Sequence, residues 1–402
     1  GLTRDELSMA YMFGTVGSAL LLTPAGKLYD RLGARVMTPA TCLLLAGVLV
    51  ALSQCDRVAR ALAAGLHLPA GATAFGVLFV CFFALRFSGQ GVLALVCRNM
   101  VLKWFERRRG LAVALMGVFV SLGFSSMPRV FGGMIDVFGW RGSWGVMAAL
   151  IGLGVATMAL LLFRDNPEQC GLRPDGDAPR ADDDPDGPTV HPTRQYTLAE
   201  AAATYPFWVF TLSISIFGLY ITGLMFHVES IFATEHMGRD IALSIFIPAS
   251  ITSVVIRLAA GWISDHVRLK YLLMVLLAGL ACSMLGLVYL AHNLSVWMVI
   301  AGNGVGMAMV GLLSGMTWPR FYGRKHLGAV TGLVTAVSVL ASAIGPYLFS
   351  QSLKRTGSYD VAGLTCLVAV LALLLAAPMA TNPQAKHPRK TDADDGDDEP
   401  WE

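Results

Sequence analysis

Two arginines lie inside long apolar stretches of the chain, where a charged side chain is least expected. Arg86 falls near the middle of one stretch, and Arg257 falls six residues before the end of another. If these stretches cross a membrane, each charge costs at least about 2.5–3.5 kcal/mol at the bilayer centre, so a charge that persists there is by default functional. A guanidinium keeps its proton, and its planar fork of N–H donors matches a carboxylate. The pair therefore predicts anion binding.

Each arginine also has a structural interpretation. Arg257 can pair with carbonyl groups at a helix end instead of a ligand. Arg86 has Gly89 and Gly91 beside it, which favours close helix packing with the guanidinium bonded to a backbone carbonyl. For Arg257 we expect the substrate role, whereas for Arg86 the packing role is at least as well supported.

Other polar residues in the apolar stretches are candidates for the wall of a cavity. The predicted substrate-binding set is Arg257, Arg86, Gln90, Tyr220, Asn303 and Ser338. Further polar or aromatic residues of the same kind are Tyr11, Thr15 and Trp318. Each of these uncharged residues has a second interpretation, as a hydrogen-bonding contact between packed helices.

Candidates for proton coupling are few, because no Asp or Glu lies in the middle of an apolar stretch. His227 and Glu229, near the end of TGLMFHVESIFA, are the titratable candidates. At i and i+2 they point to different helix faces. His227 can titrate near neutral pH, but a histidine hydrogen-bonded at a helix end is the alternative.

The composition indicates an integral membrane protein. The apolar fraction is 55% and the charged fraction 14%, whereas about 25% of residues are charged in an average soluble protein. Crossing the hydrocarbon needs about 20 helical residues, and nothing alternates as barrel strands would. We therefore predict an all-α bundle with eleven spans, at 9–25, 37–55, 74–97, 109–131, 142–163, 206–232, 241–263, 271–291, 295–318, 327–350 and 359–379.

A short charged loop occurs twice between these spans. The sequence GKLYDRLGAR begins at Gly26, and a second copy, GWISDHVRLK, begins at Gly261. Asp30 can accept hydrogen bonds from a helix N-terminus or pair with nearby arginines, forming a latch at a gate. The alternative is that the charges only set topology. The predicted gate residues are Gly26, Asp30, Arg31, Gly33, Arg35, Arg107, Arg108, Arg109, Gly261, Asp265 and Arg268.

The loops belong to a longer internal duplication. RFSGQG followed by WFERRRGLAVALMG corresponds to GNGVG followed by WPRFYGRKHLGAVTG, as expected for a transporter built from two related halves. The loop lies between the first and second spans of one half but between the second and third of the other. This offset predicts a twelfth helix before Gly1 and places an insertion at Asp56 to Thr73.

The predicted organisation has two pseudo-symmetric halves and two polar segments. The N-terminal half covers 1–163 and the C-terminal half 206–380. Between them, 164–205 is expected to be a largely disordered linker that ends in a short amphipathic segment, and 381–402 a disordered tail. Most Lys and Arg residues fall on the side of the Gly26 loop, which predicts that this side, the linker and the C-terminus are cytoplasmic.

These residues resemble the major facilitator superfamily of secondary transporters. The resemblance is carried by its signature loop at Gly26, Leu28, Asp30, Arg31, Gly33 and Arg35, and by its helix-four motif at Arg86, Gln90 and Gly91. The runs at 104–110, 139–141 and 167–176 resemble its monocarboxylate and oxalate/formate branch. The resemblance implies alternating access about a central site and places the carboxylate-binding arginine at Arg257.

Two positions depart from that branch. Animal-type monocarboxylate transporters have an Asp one turn before this arginine, where Ser253 stands here, and oxalate carriers have a Lys in the span that corresponds to 327–350, which contains none. A single cation suits one carboxylate better than two.

Several other functions find no support in the sequence. The seven cysteines have no metal-ligand spacing, and the glycine-rich runs lie in apolar helices rather than after a strand, which excludes a nucleotide-binding loop. We expect no enzyme activity, cofactor, metal or nucleic-acid partner, and a monomer in the cell membrane.

The sequence thus predicts a secondary transporter of a small organic anion, with a monocarboxylate favoured, working by proton symport or exchange. One alternative is a carrier of another small solute or a drug exporter. An alternative of a different class is a membrane sensor or scaffold on the same fold, since fold alone does not fix function.

Overall fold

The computed structural model describes residues 4–106, 108–176, 194–264, 267–290 and 293–386. All regular secondary structure in these ranges is helical, without a strand. We call 4–176 the first segment and 194–386 the second segment. The all-α fold predicted from composition is confirmed.

The first segment contains seven α-helices and two π-helical turns. Both π-helical turns, Arg86–Leu93 and Leu150–Val155, continue directly from the preceding helix. The α-helices are α1 (Arg4–Leu20), α2 (Leu22–Ser53), α3 (Cys55–Leu66), α4 (Ala70–Leu85), α5 (Ala94–Trp104), α6 (Arg109–Ala149) and α7 (Ala156–Leu162).

The second segment begins with a five-residue helix and continues mainly with long apolar helices. Its helices are α8 (Leu198–Ala202), α9 (Tyr205–Thr234), α10 (Arg239–Ser244), α11 (Phe246–Ile263), α12 (Leu269–Val288), α13 (Asn293–Tyr322), α14 (Leu327–Thr356) and α15 (Asp360–Ala376).

Glycines break the two longest helices of the first segment. Gly33 has φ +75° within α2, and Gly139 has φ +67° within α6. A side chain is disfavoured in this left-handed region, so glycine is the default residue there. A Cβ on Gly33 would also overlap the carboxylate of Asp165. The break at Gly33 falls inside the predicted loop at 26–35.

Within the described residues, nine helical stretches are long and apolar enough to cross a membrane. Two shorter apolar helices, Met9–Leu20 and Arg109–Val120, lie in the same part of the chain as the first and fourth predicted spans. Each of the eleven predicted spans overlaps one of these stretches.

The larger apolar core lies in the second segment. Its helices α12 and α13 approach closely because glycines replace side chains at the contact: a Cβ on Gly286 would lie 2.7 Å from the Ser295 carbonyl oxygen. Small residues allow such backbone contacts between membrane helices, where van der Waals packing drives association.

The described ends of the two polar segments are folded, which limits the predicted disorder. Arg194 and Gln384 are joined by two hydrogen bonds, and the Tyr196 amide donates to the Tyr322 carbonyl. The end of the linker, for which an amphipathic segment is predicted, contains α8, which begins with a Thr197–Glu200 capping box. The rest of the predicted disorder, at 177–193 and 387–402, lies outside the described residues.

Candidate functional site

Helices α2 and α14, from opposite segments, touch through their backbones. A Cβ on Gly26 would overlap the carbonyl oxygen of Gly328, and a Cβ on Gly328 would overlap that of Gly26. One turn further along α14, a Cβ on Gly332 would lie 2.7 Å from the Leu22 carbonyl oxygen. The first residue of the repeated loop is thus a point of closest approach between the segments.

Asp30 fastens this contact from the side of α2. Its two carboxylate oxygens accept hydrogen bonds from the backbone amides of Gly328 (2.7 Å) and Ala329 (2.8 Å). These amides lie in the first turn of α14, where the unpaired N–H groups and the helix dipole favour a negative charge. Of the two partners considered for Asp30, the structure shows the helix N-terminus.

A buried amide adds a second polar contact between the same segments. The Asn99 side chain of α5 donates to the Thr331 hydroxyl of α14 over 2.8 Å, and both residues are buried. The Thr331 hydroxyl also donates to the Leu327 carbonyl. On the same side of α5, the Lys103 ammonium lies 4.9 Å from the centroid of the Tyr29 ring.

The second copy of the loop makes the matching contact from the other side. Gly261 of α11 packs on α6, where an added Cβ would lie 3.1 Å from the Ala114 Cβ and 3.2 Å from the Gly110 carbonyl oxygen. Each repeated loop therefore starts with a glycine that packs on the opposite segment. We call the end of the bundle that holds these contacts the Asp30 end.

Arg257 of α11 lies one helical turn before Gly261 and contacts α6 and α13. Its Nη2 donates to the Met307 carbonyl oxygen of α13 over 2.9 Å. A Cβ on Gly117 of α6 would overlap its Nη1, and a Cβ on Gly311 of α13 would lie 3.0 Å from its Nη2. Its Nε is buried and has no hydrogen-bond partner within the described part of the chain.

Arg86 lies in the first segment, at the start of the π-helical turn Arg86–Leu93. Its Nη1 donates to the Gln90 side-chain oxygen, and the guanidinium carbon lies 5.2 Å from the centroid of the Tyr11 ring. The recorded hydrogen bond thus joins two predicted site residues. Single π-helical turns in α-helices are frequent at functional sites.

The remaining predicted binding residues lie on three helices of the second segment. The Tyr220 hydroxyl of α9 is buried and lies 2.8 Å from the Ser283 hydroxyl of α12. Ser338 of α14 bonds the Val334 carbonyl and faces Ser215 at 3.1 Å. Asn303 of α13 is buried, and its side-chain oxygen has no partner among the described residues. These contacts join helices of one segment.

His227 of α9 packs against α14 and against Tyr359, the residue before α15. Its Nε2 lies 3.1 Å from the Pro346 carbonyl oxygen, its Nδ1 lies 3.4 Å from the Tyr359 hydroxyl, and its ring stacks on Phe349. Glu229, two residues further along α9, is exposed. The two coupling candidates therefore occupy different environments, as their spacing predicted.

The residues after α7 form a folded clasp that joins both segments at the Asp30 end. We define this clasp as residues 165–176. Asp165 accepts the Arg35 amide at 2.8 Å, and Asp175 accepts the Glu106 amide at 2.9 Å just before α6. Glu168 accepts from Arg324 of the second segment at 2.6 Å.

Comparisons with known proteins agree with the fold. The family model described as Major Facilitator Superfamily matches residues 1–346. The chain belongs to the Major Facilitator Superfamily. The membership inferred from the signature loop is confirmed, and so is the membrane-spanning character of the chain.

Three curated relatives in this superfamily match most of the chain. The membrane sensor protein UhpC of Salmonella typhimurium is 24% identical over 74% of this chain and 70% of its own length. Monocarboxylate transporter 11 of Mus musculus is 27% identical over 77% of this chain and 67% of its own. The nitrite extrusion protein of Bacillus subtilis is 22% identical over 90% and 81%.

Two solved superfamily structures share the fold. The proton:xylose symporter XylE has a TM-score of 0.63 at 15% identity, covering 96% of this chain and 90% of that one. The human organic anion transporter MFSD10 has a TM-score of 0.59 at 15% identity, covering 92% and 83%.

The predicted gate residues do not all take part in contacts between the segments. Arg31 and Arg268 are exposed. The side chain of Arg109 is buried and donates to the Phe105 carbonyl at 2.9 Å, and the backbone amide of Arg108 donates to the Asp175 carboxylate. Two further predicted gate residues, Arg107 and Asp265, lie outside the described residues.

Several residues that form polar contacts with distant parts of the chain were not among the predicted site residues. Glu168 and Asp175 lie in the run at 167–176, which contributes to the prediction only by its resemblance to the monocarboxylate and oxalate/formate branch. Asn99 lies two residues beyond the predicted span 74–97, directly after Arg98, and was not among the candidates. Arg324, whose side chain also donates to the Lys103 carbonyl at 2.5 Å, lies in the duplicated run WPRFYGRKHLGAVTG, but the duplication does not reveal its partners.

Charges outside the spans have pKa values set by nearby donors. The Thr197 amide and hydroxyl, together with Arg194, lower the pKa of Glu200 to about 2. At the opposite end of the bundle, the hydrogen bond from Arg141 lowers the pKa of Asp56. Both carboxylates are therefore ionised at neutral pH. No cluster of His, Cys, Asp or Glu suited to a metal occurs in the ranges that the structure describes.

Proposed function

We propose that the protein is a secondary active transporter that moves a small organic anion, a monocarboxylate by preference, by proton symport or exchange. The observation that carries this proposal is the position of Arg257. Its guanidinium lies in an apolar span, where the first segment meets the second. A site at this position changes its surroundings when the two segments move relative to each other.

The chemistry of Arg257 suits a carboxylate. The side chain is permanently protonated, so it needs an anionic or strongly polar partner. The structure supplies one carbonyl oxygen at Nη2, while Nε is buried without a partner in the described residues. A polar group left unpaired in a membrane interior costs free energy. A carboxylate supplies two acceptor oxygens and the missing negative charge.

The names of similar proteins support an anion. A monocarboxylate transporter, a nitrite extrusion protein and an organic anion transporter are among them. The proton:xylose symporter supports the alternative in which another small solute is carried and Arg257 is structural. The remaining members of the proposed substrate-binding set are Arg86, Gln90, Tyr220, Asn303 and Ser338.

We assign the Asp30 end as the cytoplasmic gate. Its closure is supported by Asp30 at the N-terminus of α14 and by the glycine contacts at Gly26 and Gly261. Opening this end breaks those contacts, which is the step that alternating access needs. The linker and C-terminus lie on the same side in this proposal, and the protein is a monomer in the cell membrane.

Proton coupling is assigned to His227 or Glu229, the two titratable candidates in α9. His227 bonds Pro346 of α14, so a change in its charge bears on the packing of α9 against α14. Exchange of one anion for another requires neither residue. A proton ionophore separates the two modes: it abolishes accumulation by symport but leaves exchange intact.

The test is uptake of labelled monocarboxylates into proteoliposomes that contain the protein. We expect Arg257→Ala to abolish uptake and Arg257→Lys to retain little, because an ammonium does not form the bidentate pair. The matched control is Arg60→Lys on exposed α3, which should behave as the wild type. Equal uptake by all variants would contradict the proposed carboxylate site.

A second candidate function is favoured by one relative, the membrane sensor protein UhpC. A sensor binds its ligand without sustained net transport. Carboxylates that raise the unfolding temperature of the purified wild type but never enter the liposomes would favour this function. Uptake that saturates with carboxylate concentration would favour transport.

A further inference from the structure

Arg257 is held in a slot whose two walls lack side chains. An added Cβ on Gly117 would overlap Nη1 and come within 2.8 Å of both Cδ and Cζ. From the other side, a Cβ on Gly311 would lie 3.0 Å from Nη2 and 3.1 Å from Cζ. The guanidinium therefore lies between the backbone at Gly117 and the backbone at Gly311.

The two walls belong to different segments. Gly117 lies in α6 of the first segment, whereas Gly311 lies in α13 of the second, the same segment as Arg257. The Met307 carbonyl, one turn before Gly311, holds Nη2 at 2.9 Å. Met307 and Gly311 thus belong to the same segment as Arg257 and move with it, whereas Gly117 moves with the opposite segment.

We infer that Gly117 and Gly311 are positioning residues for the anion, and that Gly117 acts only while the Asp30 end is closed. This inference rests on the proposed function of Arg257. When α6 separates from α11, the guanidinium loses one wall and gains freedom to turn. Carboxylate affinity is then highest with the Asp30 end closed, and release is favoured when it opens.

The expected effect of a methyl group follows from which atoms it meets. Opposite Gly117 these are the outer atoms of a flexible side chain, so Gly117→Ala displaces the guanidinium rather than the helices. A misplacement of about 1 Å in a binding group can cost a factor of up to about 100. We expect the KM for carboxylate to rise about 10-fold or more in Gly117→Ala, and less in Gly311→Ala, where the distances are longer.

Chain geometry offers a matched control in the same helix. Gly123 of α6 has no atom within 4 Å of an added Cβ. Gly123→Ala should leave KM and unfolding temperature unchanged. In an Arg257→Ala background, Gly117→Ala should have no further effect on the unfolding temperature, since the atoms that it displaces are gone.

A second measurement does not depend on transport. The rate at which a dicarbonyl reagent modifies Arg257, mapped by mass spectrometry, should rise several-fold in Gly117→Ala and stay unchanged in Gly123→Ala. A faster reaction with wild-type KM would show that the slot exists but does not position the anion. Unchanged modification in Gly117→Ala would overturn the slot itself. Absence of carboxylate uptake in the wild type would overturn the proposed function while leaving the modification result to test the slot.

Discussion

The two contacts between the segments at the Asp30 end differ in how their polar groups are satisfied. Between α2 and α14, the Asp30 carboxylate accepts two backbone amides and Asn99 bonds Thr331. Between α6 and α11, Arg257 packs on Gly117, and its buried Nε has no partner among the described residues. At the first contact the charged group is satisfied without a ligand, and only the neutral Tyr29 hydroxyl is buried without a partner in the described residues. At the second contact the group left with an unpaired donor is a charged guanidinium. The contact between α2 and α14 is therefore suited to hold a closed gate, and the contact between α6 and α11 is suited to bind an anion.

The largest expected difference between the two contacts comes from how closely the helix backbones approach each other. At Gly26 an added Cβ overlaps a backbone oxygen that cannot turn aside, whereas at Gly261 the nearest atoms are 3.1–3.2 Å away. Overpacking costs about 1–3 kcal/mol, so we expect Gly26→Ala to reduce uptake at least 10-fold and Gly261→Ala to reduce it less. Initial uptake rates provide the measurement. The control is Gly47→Ala in α2, where the added methyl group has open space around it. Equal rates for all three variants would show that close backbone packing at Gly26 and Gly261 does not matter for uptake.

The charge of Asp30 gives the next largest effect. Asp30→Asn loses the negative charge and one of the two acceptor oxygens at the start of α14, a change of about 1–2 kcal/mol. The Gly328 and Ala329 amides should then exchange hydrogen about 5- to 30-fold faster, as measured by mass spectrometry. Asp165→Asn is the control, because Asp165 accepts an amide of its own segment. Unaltered exchange at both amides would show that Asp30 does not hold the contact.

The buried Asn99–Thr331 pair is expected to contribute about 0.5–1.5 kcal/mol. A double-mutant cycle with Asn99→Ala and Thr331→Val, read as the free energy of unfolding, should give a coupling in that range. The control cycle pairs Asn99→Ala with Thr335→Val, since the Thr335 hydroxyl donates to the Thr331 carbonyl of its own helix. A coupling near zero in the first cycle would mean that the hydrogen bond adds nothing to the contact.

The clasp at 165–176 gives the smallest effect. Glu168 and Arg324 are partly exposed, with side-chain exposures of 50% and 26%, and such pairs contribute about 0.2–1 kcal/mol. Glu168→Gln should lower the unfolding temperature slightly at low salt and have no effect at about 1 M salt, where charges are screened. Glu200→Gln is the control, because Glu200 pairs with Arg194 of its own segment. If Glu168→Gln still lowers the unfolding temperature at high salt, Glu168 has a role other than ion pairing.

Much of the fold was predictable because the bilayer imposes simple rules on a sequence. Apolar stretches of sufficient length gave the spans, and the repeated loop located Gly26 and Gly261, both of which pack on the opposite segment. The linker was predicted less well. Its composition indicated disorder, yet its ends are folded, because Gln195 and Glu168 find partners around Arg324 that composition does not reveal.

The candidate site was predictable only in part. Arg257 and Arg86 were identifiable because a charge in an apolar span is costly. Their partners were not: Gly117, Gly311 and Met307 are ordinary residues of apolar helices, and only the packing of α6 and α13 brings them to Arg257. Tyr220 had the same sequence signal as a cavity residue, but the structure places its hydroxyl on Ser283.

The sequence by itself determined that this protein is a helical membrane protein of the superfamily, with an internal duplication and two arginines well inside its spans. Hydrophobicity, length and local motifs are properties of one stretch at a time. Only the tertiary structure decided which groups satisfy those charges. Asp30 found the amides of α14 almost three hundred positions away, and Arg257 found two bare glycines. Such pairings depend on distances between helices, which no single stretch of the chain contains.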